Sequence, residues 1–379
     1  MMKHFGRSRL CAGTVALLFQ FTCIATQASA IKTNGNGDPT DVGIWYCANW
    51  DARGGGWWPL SSYRPLLPDG SYGMHDSSDS AVIDFHLEKL AAAQIDFILF
   101  DDTNGDFNGY GPQNSWIKEK SKAVCTRIKL WNRCHAWKIK YAFGIGSCMI
   151  GERGFPTATS YDVIEQQAHC VDEEVFSRSD YSADDYYQID GKPLLVVLDY
   201  KKDARARWAK FPGPKVWADR FAIRWAGTSG AYSAATGDYG WAMNSAGVLL
   251  GPEVEYLQPG HNNHLPPGAG WMHTLRRKGD AYVENWDRIL GNPLPRIVMI
   301  GAFNDYTEDS AIWTADTSID YPKARLPIER WQGHDGRLHP SMYWDYTVAI
   351  IRTLRHGAHK PTMAGSQPAG SAPPHEGVP

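Results

Sequence analysis

Eight short apolar runs, each ending in polar or aromatic residues and separated by helix-like or loop-like segments, set the main constraint on how this chain folds. They are Val42 to Trp50, Asp96 to Asp101, Lys140 to Ser147, Leu194 to Tyr200, Phe221 to Trp225, Tyr239 to Ala246, Val254 to Gln258 and Arg296 to Phe303. Buried runs of this length read as core strands, and strands alternating with helical segments read as parallel β/α units. Ser80 to Gln94 carries an apolar stripe at helical spacing (Val82, Phe85, Leu87, Leu90), and Ser115 to Trp137 and Thr159 to Phe176 read as further crossover helices. Eight such units close a barrel, so the expected fold is α/β, a single (β/α)8 TIM barrel with extended loops at its C-terminal face.

A chain of 379 residues, 43% of them hydrophobic, has the length and the core for one such domain. The start is basic (Lys3, Arg7, Arg9), then apolar from Leu10 to about Ala25, then small at Ala28-Ser29-Ala30, the pattern of a cleavable export signal over residues 1–30. That places the mature protein outside the cytoplasm, secreted or periplasmic. Residues 31–41 read as a linker, 42–358 as the barrel domain and 359–379, rich in Pro, Gly, Ser and Ala, as a disordered tail. Beyond the signal, no stretch is long and apolar enough to insert in a membrane. Five cysteines follow it (Cys47, Cys125, Cys134, Cys148, Cys170), an odd number, so at least one thiol is expected to be unpaired.

A formal charge of −3 gives no global attraction to nucleic acid or to anionic lipid, and a neutral substrate fits better. Sixteen Trp and eighteen Tyr suit sugar faces and protein cores alike. A monomer is expected.

In a barrel, residues just past the strand ends line one face. Here that face collects Trp45, Tyr46, Asn49, Trp50 and Asp51, then Asp101, Asp102 and Asn104, then Asp199 and Tyr200, then Arg224 and Trp225, then Glu255, Gln258 and His261, and finally Asn304, Asp305, Tyr306 and Glu308. Glycosidic cleavage asks for two carboxyl groups, one protonated and one ionised. Asp305 and Glu308 are three apart, which on a helix puts their Cβ atoms roughly 5–6 Å from each other. The plain alternative is that Asp305 caps a short helix and Glu308 is a solvated first-turn acid. Asp101 and Asp102 read as catalytic acids, as binders of sugar hydroxyls or as caps of the next segment, with hydroxyl binding favoured, and Asp199 has the same three readings. His261 and His264 have a spacing that suits a metal, but the surrounding Pro-Gly pattern argues for a loop and too few further ligands are evident. No Gly-x-Ser-x-Gly elbow is present.

Several segments, in order, resemble the glycoside hydrolase family 71/99-like barrels, which include endo-α-mannosidases and α-1,3-glucanases. They are Trp45-Tyr46 with the Trp57-Trp58 loop; Ser80-Ala81-Val82-Ile83, His86 and Ala93-Gln94-Ile95-Asp96-Phe97; and Ile189-Asp190-Gly191-Lys192-Pro193-Leu194-Leu195. Pro259-Gly260-His261 with Arg276, Gly279, Tyr282 and Trp286 follow, and Phe303-Asn304-Asp305-Tyr306-Thr307-Glu308 stands where that family has an F-N-E-W-x-E element.

The resemblance implies hydrolysis of α-linked glycans in a polysaccharide or oligosaccharide, with no cofactor. In its mannosidase branch it implies a base that deprotonates the substrate's own 2-hydroxyl and an acid one helical turn later. By position Asp305 is that base and Glu308 the acid, with Trp45, Tyr46, Asp101, Asp102, Asp199, Tyr200, His261, Asn304 and Tyr306 as substrate contacts. The chain departs from the pattern in having Asp305 for Glu, a side chain about 1 Å shorter, and Asp309-Ser310 for Gly-Thr. Two rival functions are a non-catalytic glycan-binding protein on the same scaffold and a metal-dependent hydrolase using His261 and His264.

Overall fold

The computed structural model describes residues 38–52, 55–56, 61, 63–104, 107, 115–146, 160–178, 181, 183–199, 204–227, 237–240, 248–262, 274–318, 329–357 and 359–366. Seven parallel strands form its centre: β1 (Asp41–Tyr46), β2 (Phe97–Asp102), β3 (Lys140–Gly146), β4 (Lys192–Leu198), β5 (Ala222–Ala226), β6 (Val254–Leu257) and β7 (Ile297–Ile300). Their hydrogen-bonded order is β6-β7-β1-β2-β3-β4-β5, with β1 paired to both β7 and β2. Nearly every strand position is buried, as expected for a sheet covered on both faces.

Helices α1 (Ser80–Ala92), α2 (Ser115–Cys134), α3 (Ser160–Val171), α4 (Asp280–Leu290) and α5 (Met342–His356) supply the outer layer. Asp79 starts α1 by accepting the Ala81 N–H, and Val82, Ile83, His86, Leu87 and Leu90 are buried. No helix among the described residues is long and apolar enough to cross a membrane.

The sheet curls, because residues on distant strands meet inside it. The Trp45 indole N–H reaches the Tyr239 carbonyl at 3.1 Å, and its ring lies where a Cβ on Gly144 would fall. Register then assigns faces. Trp45, Leu99 and Ala142 are partners pointing inward, and Tyr46, Phe100 and Phe143 are partners pointing out toward the helices.

An eighth ladder strand, expected over Tyr239 to Ala246, does not form at Tyr239 and Gly240; residues 241–246 lie outside the described ones. Between β5 and β6 runs the irregular segment Gly237–Gly240. Its Tyr239 N–H donates to Trp225 on β5 (3.0 Å), and Gly237 and Gly240 press on Val254 and Tyr256 of β6. Both glycines have positive φ (96° and 64°), and the Asp238 carboxylate takes the Gly240 and Gly227 N–H groups (2.8 and 3.0 Å). The Gly240 N–H is thereby unavailable to a ladder; among the described residues β5 and β6 do not pair with each other, and β6 instead pairs antiparallel with Val248–Leu249.

Of the tail expected over residues 359–379, the structure describes 359–366, and residues 367–379 lie outside the described ones. Met363 is buried, where a Cβ on Gly279 would meet its sulfur, and the Gly365 carbonyl accepts from His334 (2.6 Å), so packing continues to Ser366. Cys47, Cys125, Cys134 and Cys170 are free thiols, while Cys148 and residues 1–30 lie outside the described ones.

Candidate active site

After β7 the chain makes a return loop. Phe303 N–H donates to Trp45 (2.7 Å), Ala302 pairs with Ser310 and Ile312, and Trp313 returns to Phe303 (2.8 Å), leaving residues 305–309 at the tip. Asp305 organises that tip. One carboxylate oxygen accepts the N–H groups of Thr307 and Glu308, both at 3.1 Å, and the other accepts the Ser310 hydroxyl at 2.8 Å. This is the capping geometry of a buried acid, 3% exposed. Burial, then the charge of Glu308, raises its pKa to about 7 against the opposing pull of those hydrogen bonds.

Glu308 is the more open of the two, with 22% of its side chain exposed. Its Oε2 is buried and faces Nε2 of His261 at 3.4 Å, close enough for charge attraction but outside hydrogen-bond geometry. His261 is held by two backbone bonds with Thr274 (2.9 and 3.0 Å), and Asn262 N–H reaches the Glu308 carbonyl (2.7 Å).

The inner wall adds a third acid. Asp101, at the end of β2, accepts the Thr103 hydroxyl (2.6 Å) and is raised to about 6, chiefly by burial and less by Glu308. Burial and then the charges of Asp305, Asp101 and Glu308 push the Cys47 thiol up. Tyr256 is raised by burial and, among the charges, by Asp305 and Glu308, and its hydroxyl donates to Gln258 (2.8 Å). Asp101, Asp305 and Glu308 therefore share one region, in which burial brings the titration of Asp101 and Asp305 close to neutrality. The Tyr306 ring closes one side, 5.4 Å from Trp50 and 6.5 Å from Tyr63.

Five other expected contacts sit elsewhere. Tyr46 points outward, bonds to His86 (2.9 Å) and stacks on Phe303, so it belongs to the sheet–helix core. Asp102 also points outward, to Ser121 of α2 (3.1 Å). Asn304 spends both ends of its amide on the Cys47 backbone (2.7 and 2.9 Å), tying this loop to β1. Asp199 is fully buried and accepts the Arg205 N–H (3.2 Å) at the start of a short helix, Ala204–Ala209. Trp45 is fully buried inside the sheet. Tyr200, His264, Trp57 and Trp58 lie outside the described residues, whose His, Cys, Asp and Glu side chains contain no group of three or more placed to hold a metal ion.

Sequence reasoning missed the brace behind the loop. Asp309, buried and with φ of 52°, takes the Arg276 guanidinium (2.9 Å) and the Tyr63 hydroxyl. Arg276 also donates to the Asp309 and Ala311 carbonyls (2.9 and 2.8 Å) and lies over the Tyr343 ring. The signal was present: where the resembling family has glycine, which favours positive φ, this chain has an acid, and an acid there needs a cation.

No family model matches the chain, and no curated relative matches it. Solved structures do. Two are of the GH99 endo-alpha-mannosidase from Bacteroides thetaiotaomicron. One, in complex with Bis-Tris-propane, is 13% identical with a TM-score of 0.54, covering 84% of this chain and 99% of that one. The other is 14% identical with a TM-score of 0.55, covering 83% and 98%. A third, described as a glycoside hydrolase-like protein, is 14% identical with a TM-score of 0.51, covering 87% and 96%. At this identity the likeness establishes a shared fold across most of the chain.

Proposed function

We propose that this chain is an exported glycoside hydrolase that cleaves α-linked bonds in a neutral polysaccharide or oligosaccharide by carboxyl acid/base chemistry. The observation that carries the reading is the pairing of Glu308, half-open and beside His261, with buried Asp305 in one turn past the last parallel strand. The shared fold with solved glycoside hydrolase structures supports it.

In this reading Asp305 takes the proton of the substrate's own 2-hydroxyl, whose oxygen bonds to the anomeric carbon while the glycosidic bond breaks and its oxygen receives the Glu308 proton. Water, deprotonated by Glu308, then attacks the anomeric carbon, and the 2-oxygen regains its proton from Asp305. Asp305 acts as the base, and being raised to about 7 it is mostly ionised only above that pH. Asp101 accepts a hydrogen bond from a sugar hydroxyl.

A second reading, binding without hydrolysis, draws on the same turn. The shorter acid folds back onto its own loop, where both its oxygens already hold donors. Incubating the purified protein with α- and β-linked neutral glycans and measuring products by mass decides between them. New reducing ends from α-linked substrates support hydrolysis; retention of glycans with no cleavage supports the second reading, and neither outcome on any glycan refutes both.

A further inference from the structure

A groove with room for about 400 Å³ opens near this centre, lined by Asp51, Asp76, Ser78, Trp116, Glu119 and Lys120. Three elements converge on it: the Trp50–Asp51 segment after β1, the turn that leads into α1, and the first turns of α2. Its wall is preformed. Lys120, 8% exposed, sends its ammonium to the Trp50 carbonyl (2.8 Å) and to Asp76. Asp76 also accepts the Ser78 N–H (2.8 Å) and hydroxyl. Burial pushes Asp76 up, but the bonds from Lys120 and Ser78 outweigh it, so this carboxylate lies below its ordinary range and stays ionised at neutral pH. The Trp116 ring is half-buried, with the Lys120 ammonium over one of its faces, 5.7 Å from the ring centre, which leaves the other face for a ligand.

Fully buried Trp50 links the groove to the Asp305–Glu308 turn. Its carbonyl faces Lys120, and its ring stands 5.4 Å from Tyr306, in the Asp305–Glu308 turn. A ligand filling both places must be longer than one sugar. An indole face takes the apolar face of a pyranose, and carboxylates accept its hydroxyls. Three carboxylates against one ammonium leave the groove negative, which disfavours acidic sugars.

We propose that this groove is a remote subsite for a neutral oligosaccharide, with Trp116 as its stacking platform and the bond to be cut lying at Glu308. The proposal rests on the glycoside hydrolase reading and adds to it a chain-length and charge requirement.

The test uses full-length protein carrying Glu308→Gln, with and without Trp116→Ala, and titration calorimetry. The probes are α-linked manno- and gluco-oligosaccharides, from disaccharides upward, and uronate-containing oligosaccharides of equal length. Trp116→Ala is expected to weaken the longer neutral chains roughly tenfold and to leave disaccharides unchanged, with Trp116→Phe restoring part of the loss. Glu119→Lys is expected to raise uronate affinity relative to neutral chains. Equal loss for short and long chains, no loss for either, or no binding of any neutral oligosaccharide overturns the subsite. Failure of the catalytic reading looks different: the Glu308 variant keeps its turnover while the length-dependent effect of Trp116 stands.

Discussion

Nε2 of His261 stands 3.4 Å from Oε2 of Glu308, joining the segment after β6 to the turn after β7. A backbone bond from Asn262 to the Glu308 carbonyl (2.7 Å) clips the same two segments together. The backbone of the acid most open to a substrate is thus fixed by a main-chain bond, with the His261 ring packed against its carboxyl, which limits where that carboxyl can go.

Replacing Glu308 by Gln keeps volume and the backbone clip while removing the titrating group. Turnover of a cleaved glycan is expected to fall by roughly 10²-fold or more, with an unchanged melting temperature. Wild-type turnover in this variant removes Glu308 as the acid.

His261→Gln removes the charge partner and leaves the two backbone bonds to Thr274 in place. The expected result is a lower kcat with an unchanged melting temperature, because the Glu308 carboxyl loses the side chain that packs against its Oε2. Wild-type kcat in this variant shows that the contact does not position the acid.

Asp305 makes a prediction about stability. Its pKa is raised in the fold from an ordinary carboxyl value to about 7, so between about pH 4 and pH 7 the folded state holds a proton that the unfolded chain has released. Stability from this group is full at acid pH and is lost as pH rises through 7. Asp305→Asn is expected to flatten that slope in denaturant titrations across the window; an unaltered slope assigns the proton to another group. If Asp305 is the base, wild-type kcat/KM rises over the same interval and the variant's does not.

Asp309→Gly suits the backbone, since φ there is 52°. It nevertheless strands the Arg276 guanidinium, 1% exposed, without its carboxylate. The expected cost is about 3–5 kcal/mol, read from chemical denaturation. Adding Arg276→Met is expected to recover part of it. A single variant as stable as the wild type shows that the loop holds without this ion pair.

Much of the architecture was legible along the chain. Seven of the eight apolar runs became parallel strands, and α1, α2 and α3 lie within the helical segments expected. Helix α5 was not assigned, although Tyr343, Tyr346, Ile350 and Leu354 mark its buried side. The eighth run forms no ladder at Tyr239 and Gly240, where Asp238 takes the Gly240 N–H and the glycines at 237 and 240 both hold positive φ. Apolar content marks a segment as buried, but it does not say where its N–H groups go.

The candidate site was legible only in part. The chain itself placed acids and rings at strand ends, and Asp305, Glu308, Asp101 and His261 do share one region. Adjacent pairs were inseparable in sequence and opposite in space: Trp45 and Asp101 face inward, while Tyr46 and Asp102 face the helices.

What the amino-acid order determined by itself was the sequence of strands and helices, because periodicity and turn chemistry are local. Only the tertiary structure decided which strand-end residues meet. The pleat turns successive side chains to opposite faces, and the partners of Glu308 and Asp309 arrive from distant loops whose approach no local pattern records.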